Sequence, residues 1–250
     1  MDARDNSTTK TIAHSTLEKE CGKPIARRVI SQLRKKDIKK IVDVEALLVG
    51  DVILSRDSEG RFGKDPKSPV KSFQEKVRNI PDDASQWTHA MLYVGGAHVI
   101  ESQPKFLVQR KLPYVRNGTR VRSLVDYSVN HELLVCRHRG LAADHHARKE
   151  VGRWGVLEQH VAPRPYPIQR IRDIWLDSRY RDPKLINAVM CSELALELLA
   201  LAGTVLVEEY NGLGSGRSPF LPAEFHTHDD FVTFPLEKRL VVKDDEEVTD

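Results

Sequence analysis

The stretch Met190–Ala202, MCSELALELLALA, constrains this chain more than any other. It is an apolar run of helix formers closed by Gly203, and it reads as the clearest helix in the sequence. Cys191 stands at its head. A helix N-terminus carries partial positive charge and unpaired N–H groups, which stabilise a thiolate and can hold an oxyanion. Cys191 is therefore a candidate nucleophile, with its own backbone N–H as an oxyanion donor. The same position equally suits a small cysteine buried in a core.

The chain has 250 residues, enough for one large domain or a domain with an added subdomain. Its three cysteines (Cys21, Cys136, Cys191) are too few and too odd in number for a disulfide framework. The opening residues hold no apolar run of the secretory type, and no stretch approaches a membrane span. These features lead to the expectation of a soluble, cytoplasmic protein, with export that uses no cleaved signal left open. A net charge of +3 gives no reason to invoke nucleic acid.

Residues 1–23 are expected to be a flexible N-terminus. Residues 24–45 read as a basic amphipathic helix appended to the domain, with Ile25, Val29, Ile30 and Leu33 at helical spacing. Its charges either face water or meet an anionic membrane or protein. Residues 46–243 form the expected main domain, and 244–250 an acidic tail. Within that domain Asp51–Ser55 reads as a strand and 56–86 as a long loop. Thr88–Val94 and Ala97–Ser102 read as a hairpin around Gly95-Gly96. Further strands are expected at Arg120–Val125, Glu132–His138 and Arg239–Lys243. Asp144–Gln159 reads as a helix, with Val151, Trp154 and Leu157 at spacing 3. Residues 161–168 form a proline-rich connector, 170–179 a short helix and 211–222 a loop. Strands followed by segregated helices indicate an α+β fold.

Two further residues bear on Cys191. His89, in WTHAMLYVGG, is a strand histidine of the type that serves as base to a thiol, although a structural role fits it as well. Glu101 ends the next strand, VIES. A three-residue connection, Gly95–Ala97, sets Glu101 opposite Met91 and on the face of His89, at roughly 7–8 Å between backbone positions. A two-residue turn at Gly95-Gly96 pairs it with Ala90, on the wrong face. Cys136 alternates with Leu134 and His138 and is expected in a core. His226 and His228, in HTHDD, have strand-type metal spacing without further ligands. No cofactor or metal is expected, and no phosphate-binding loop, dinucleotide fingerprint or serine-nucleophile motif is present.

GDVIL, then WTHAMLYVGGAHVIES, then VMCSELALELLALAG, in that order, resembles the permuted NlpC/P60 superfamily. The likeness is to the YiiX/YaeF-like group, related to the lecithin:retinol acyltransferase-like enzymes. The resemblance covers about 50–55 and 88–203 with gaps. It implies a circularly permuted papain-like fold: an antiparallel sheet packed against helices, with the nucleophile at a helix N-terminus. It also implies that Cys191 is the nucleophile, His89 the general base and Glu101 the orienting residue, and that Gly50-Asp51 is a structural feature. The expected activity is cleavage of an amide or ester bond in a peptide, isopeptide, acyl-amide or lipid substrate through a thioester on Cys191. The alternatives are acyl transfer from the same thioester, or an inactive binding module of the same fold.

Overall fold

A computed structural model of the chain describes residues 9–13, 15, 18–19, 22–35, 40–57, 69–76, 79–103, 118–127, 131–161, 163–167, 189–203 and 220–243. The chain divides into two compact units. One joins Met1–Glu45 to Pro235–Asp250, and the other is Ala46–Phe234.

The terminal unit departs from expectation. Strand β1 (Thr9–Ala13) lies inside the stretch expected to be flexible. It runs parallel to β9 (Glu237–Lys243), with Thr9 opposite Arg239 and Ala13 opposite Lys243. Strand β2 (Lys40–Val42) pairs antiparallel on the other side of β9, giving the order β1-β9-β2. The last strand therefore belongs with the first residues and not with the main domain, whose boundary falls at 234 instead of 243. Helix α1 (Lys23–Lys35) is shorter than the expected 24–45, and the chain re-extends at Lys40. Its buried residues are Ala26 and Ile30, whereas Ile25 and Val29 are 55% and 38% exposed. The inward row is thus Ala26–Ile30, one position round from the expected stripe. The acidic tail lies outside the described residues.

The central unit carries a six-stranded sheet in the order β6-β5-β4-β3-β7-β8. Its strands are β3 (Val52–Asp57), β4 (His89–Gly95), β5 (His98–Gln103), β6 (Gly118–Ser123), β7 (His131–His138) and β8 (Phe231–Pro235). The pairings from β7 through β3, β4 and β5 to β6 are all antiparallel. Two short helices, α2 (Pro69–Lys76) and α3 (Asp82–Ser85), interrupt the expected loop 56–86. A 3-10 turn, Leu124–Tyr127, takes over where β6 was expected to continue. Then come α4 (Arg139–Ala143), α5 (His145–His160), α6 (Cys191–Leu201) and α7 (Pro222–Thr227). The expected helix 170–179 and most of the expected loop 211–222 lie outside the described residues.

One sheet face and the helices share a core that includes Val52, Leu54, Ala90, Leu92, Ile100 and Cys136 with Val151, Leu194, Leu198 and Phe225. The strand residues alternate, as period 2 requires. Helix α5 starts where the Asp144 carboxylate accepts the Ala147 N–H at 2.9 Å. It buries Ala147, Val151 and Gly155 at spacing four, and Trp154 packs partly buried against the same core. Gly155 has a packing reason, since a Cβ there would stand 2.8 Å from Val94 Cγ1. Helix α6 is buried on nearly every side, from Cys191 through Leu199, as its uniform apolar character requires. No helix among the described residues is long and apolar enough to cross a membrane.

Candidate active site

The site forms where the first residue of β4, the middle of β5 and the first residue of α6 converge. The β4–β5 turn decides the geometry. Gly95 pairs with His98, so the turn itself is the two residues Gly96 and Ala97, with φ of +58° and +61°. A bulge between Tyr93 and Gly95 adds the residue that the tight turn removes. Leu92 then lies opposite Ile100, which puts Met91 opposite Glu101. The register is the one expected of a three-residue connection, reached through a turn plus a bulge. Glu101 accordingly shares a sheet face with His89, and the His89 Nε2–H donates to Glu101 Oε2 at 2.7 Å.

That bond occupies Nε2 and leaves Nδ1 of His89 for Cys191, whose sulfur shares a hydrogen bond with the ring. Burial works against a charged imidazole here. The negative charge and hydrogen bond of Cys191, and then those of Glu101, outweigh it and hold the His89 pKa up at about 9. His89 keeps a 14% exposed side chain, whereas Cys191 is 7% exposed.

Glu101 is fully buried, which by itself pushes a carboxyl upward. The His89 ring, the Arg120 guanidinium and the Tyr127 hydroxyl overcome that effect and lower its pKa to about 2. Arg120 Nε donates to Oε1 at 2.7 Å, and the Tyr127 hydroxyl donates to Oε2. The Tyr127 ring also stacks against His89, with centroids 6.4 Å apart.

The backbone leading into α6 is pinned from several directions. Ser102, next to Glu101 but pointing to the other face, donates to the Val189 carbonyl at 2.7 Å. The Val189 N–H donates to the Pro165 carbonyl at 3.1 Å. Glu193 accepts the Met190 N–H at 3.1 Å, and the Ser192 hydroxyl donates to the Phe220 carbonyl at 2.6 Å. Cys191 is thus the first helical residue of a rigidly held helix start, where backbone N–H groups have no partner within the helix.

Tyr166 completes the surroundings. It is 9% exposed, and burial, with the negative charges of Cys191 and Glu193, raises its phenol well above the ordinary range. The phenol is therefore held neutral within electrostatic reach of Cys191. Its segment is clamped by Arg164, which reaches Glu158 on α5 at 2.8 Å and Glu197 on α6 at 2.7 Å. The Thr119 N–H donates to the Arg164 carbonyl at 2.9 Å.

Sequence reasoning missed Arg120, Tyr127 and Tyr166. Arg120 and Tyr127 reach Glu101 only through the β5–β6 register, which nothing local announces. Tyr166 sits in a segment whose prolines signal a connector and nothing more.

The remaining candidates lie elsewhere. Cys136 is fully buried in the core, and burial raises its thiol strongly. Gly50-Asp51 is structural: Asp51 accepts from the Leu48 N–H at 2.8 Å and pairs with Arg137. His228 Nδ1 accepts the Asp230 N–H at 3.2 Å, and among the described residues no group of three or more His, Cys, Asp and Glu is placed to hold a metal.

No protein-family model, curated protein or solved structure matches this chain.

Proposed function

We propose that the protein is a thiol hydrolase of the permuted papain-like kind, cleaving an amide or ester bond through a thioester on Cys191. The observation that carries this reading is the alignment of three groups. The His89 ring bridges the Glu101 carboxylate, at 2.7 Å, and the sulfur at the head of an apolar helix.

In this reading His89, as general base, takes the Cys191 proton to give a thiolate beside an imidazolium. The sulfur attacks the substrate carbonyl carbon, and the carbonyl electron pair moves to oxygen. The Cys191 backbone N–H and the Tyr166 hydroxyl hold that oxyanion. As the tetrahedral intermediate collapses, His89 gives its proton to the departing nitrogen or oxygen, leaving a thioester. His89, now neutral, takes a proton from water, and the resulting hydroxide attacks the thioester. The acid product leaves and the thiolate–imidazolium pair is restored. Glu101 accepts from Nε2 throughout, which fixes the ring and keeps Nδ1 toward sulfur.

The test is hydrolysis of a small activated ester by the purified protein and by Cys191→Ala and His89→Ala. Loss of turnover in both, with the fold retained by circular dichroism, supports the reading. Full turnover by Cys191→Ala ends it.

A further inference from the structure

We propose that Arg120 is a positioning residue that keeps Glu101 an obligate hydrogen-bond acceptor, so that the carboxylate can only receive the proton on His89 Nε2. The proposal rests on the reading of Cys191 and His89 given above.

A carboxyl removed from water takes up a proton unless something holds its charge. Glu101 has no exposed surface. Protonated, it would offer an O–H as well as acceptor oxygens, and His89 could then meet it as an acceptor in the other tautomer. His89 Nδ1 would become the protonated nitrogen, and the ring could no longer take a proton on the side of the sulfur. Holding Glu101 ionised is therefore a condition of the chemistry.

Arg120 is built for this. It lies directly opposite Glu101 in the β5–β6 register and is 8% exposed. Its Nε donates to Glu101 Oε1 at 2.7 Å, while Nη2 donates at 2.5 Å to Oε1 of Gln103, two residues along the same strand face. Nη1 is buried and finds no partner among the described residues. Leaving that NH2 group unpaired is a cost that a buried arginine tolerates only where its charge is compensated. The carboxylate it touches is the compensating charge.

The other groups facing Glu101 do not replace it. His89 loses its charge in the catalytic cycle. The Tyr127 hydroxyl is neutral and bonds Oε2. Arg122 Nη1 stands 3.8 Å from Oε1, beyond hydrogen-bond reach, and its Nη2 is drawn to Asp126 at 3.2 Å. Among the described residues, Arg120 alone supplies a permanent charge within hydrogen-bond distance. Being cationic, it does not favour the His89 charge directly. It acts only through the carboxylate, which distinguishes it from a residue that simply raises the basicity of His89.

The experiment follows the Glu101 side-chain carboxyl by carbon NMR across acid pH, in wild type, Arg120→Met and Arg120→Lys. The pH dependence of Cys191 alkylation by iodoacetamide is measured alongside. In Arg120→Met the carboxyl titration is expected to move up by a pH unit or more, with the alkaline limb of alkylation not moving down. Arg120→Lys restores the charge and is expected to bring the titration back toward wild type, even with the Gln103 link lost. An unmoved carboxyl titration in folded Arg120→Met overturns the proposal. So does a titration in Arg120→Lys that moves up by as much as a pH unit, which decides the matter should Arg120→Met fail to fold. The carboxyl resonance titrates whether or not Cys191 turns over substrate, so failure of the hydrolase reading appears separately, as an unreactive Cys191 in wild type.

Discussion

Glu101 Oε2 lies 2.7 Å from His89 Nε2, and a β-bulge two strand positions from the turn makes that contact possible. Without the extra residue between Tyr93 and Gly95, the tight turn at Gly96 and Ala97 would place Glu101 opposite Leu92 and on the other sheet face. The putting-together of this site is a matter of register before it is a matter of chemistry.

His89→Ala is expected to lower turnover of a small ester by about 10²–10⁴-fold, the range over which a positioned acid–base contributes. Glu101→Gln removes an orienting group that moves no proton itself, so its loss is expected to be smaller. Steady-state rates of the two variants check the order; an equal or larger loss in Glu101→Gln would assign Glu101 a direct part in proton transfer.

The charge on His89 ties stability to pH in a defined window. Its folded-state pKa of about 9 exceeds the ordinary 6.5, so its contribution is complete below 6.5 and is lost as pH rises through 9. Glu101 has the opposite sign. Its value of about 2 lies below the ordinary 4.5, so its contribution is present above 4.5 and is lost as pH falls through 2. Denaturant unfolding across this range is expected to show an alkaline decline that His89→Ala lacks.

Tyr166→Phe separates acyl transfer from thiol reactivity. Alkylation of Cys191 by iodoacetamide generates no oxyanion, so its rate is expected to stay within about twofold of wild type. Ester acylation does generate one, and removing a donor costs on the order of 10²-fold in such sites. Equal losses in both reactions would show that the phenol serves the sulfur and not the oxyanion.

Gly118→Ala is expected to destabilise the protein by about 3 kcal/mol, since strained backbone and overpacking each cost about 1–3 kcal/mol. Gly118 has φ of +109°, and a Cβ there would stand 2.0 Å from the Arg164 carbonyl oxygen and 2.7 Å from Pro165 Cα. Both are backbone atoms of the segment that carries Tyr166, so they cannot swing aside. A melting temperature equal to wild type would mean that the segment does not rest on β6.

What could be read from the chain follows the range of each interaction. Cys191 at a helix head and His89 on a strand are local features, visible in a dozen residues each. Glu101 was conditional on the turn, because alternation fixes its face only after the connection length is known. Arg120 depends on the pairing of β6 with β5 across residues 104–117, and Tyr166 on a backbone bond from Pro165 to Val189, neither of which has a signature in composition. The same holds for β1 against β9: Thr9 meets Arg239 in a parallel ladder that joins the two ends of the chain. A polar opening such as TKTIA carries no information about so distant a partner. Within α1, Ile25 and Ala26 are neighbours, and the choice of which faces inward is made by tertiary packing and not by hydrophobicity.

The most direct test of Cys191 as the nucleophile is peptide mapping by mass spectrometry after brief exposure to an activated ester. Wild type, Cys191→Ala and Cys136→Ala are compared. The expected result is a hydroxylamine-sensitive acyl group on Cys191 in wild type and in Cys136→Ala, and none in Cys191→Ala. An acyl group on Cys21 or Cys136 instead, or acylation undiminished by loss of Cys191, would contradict it.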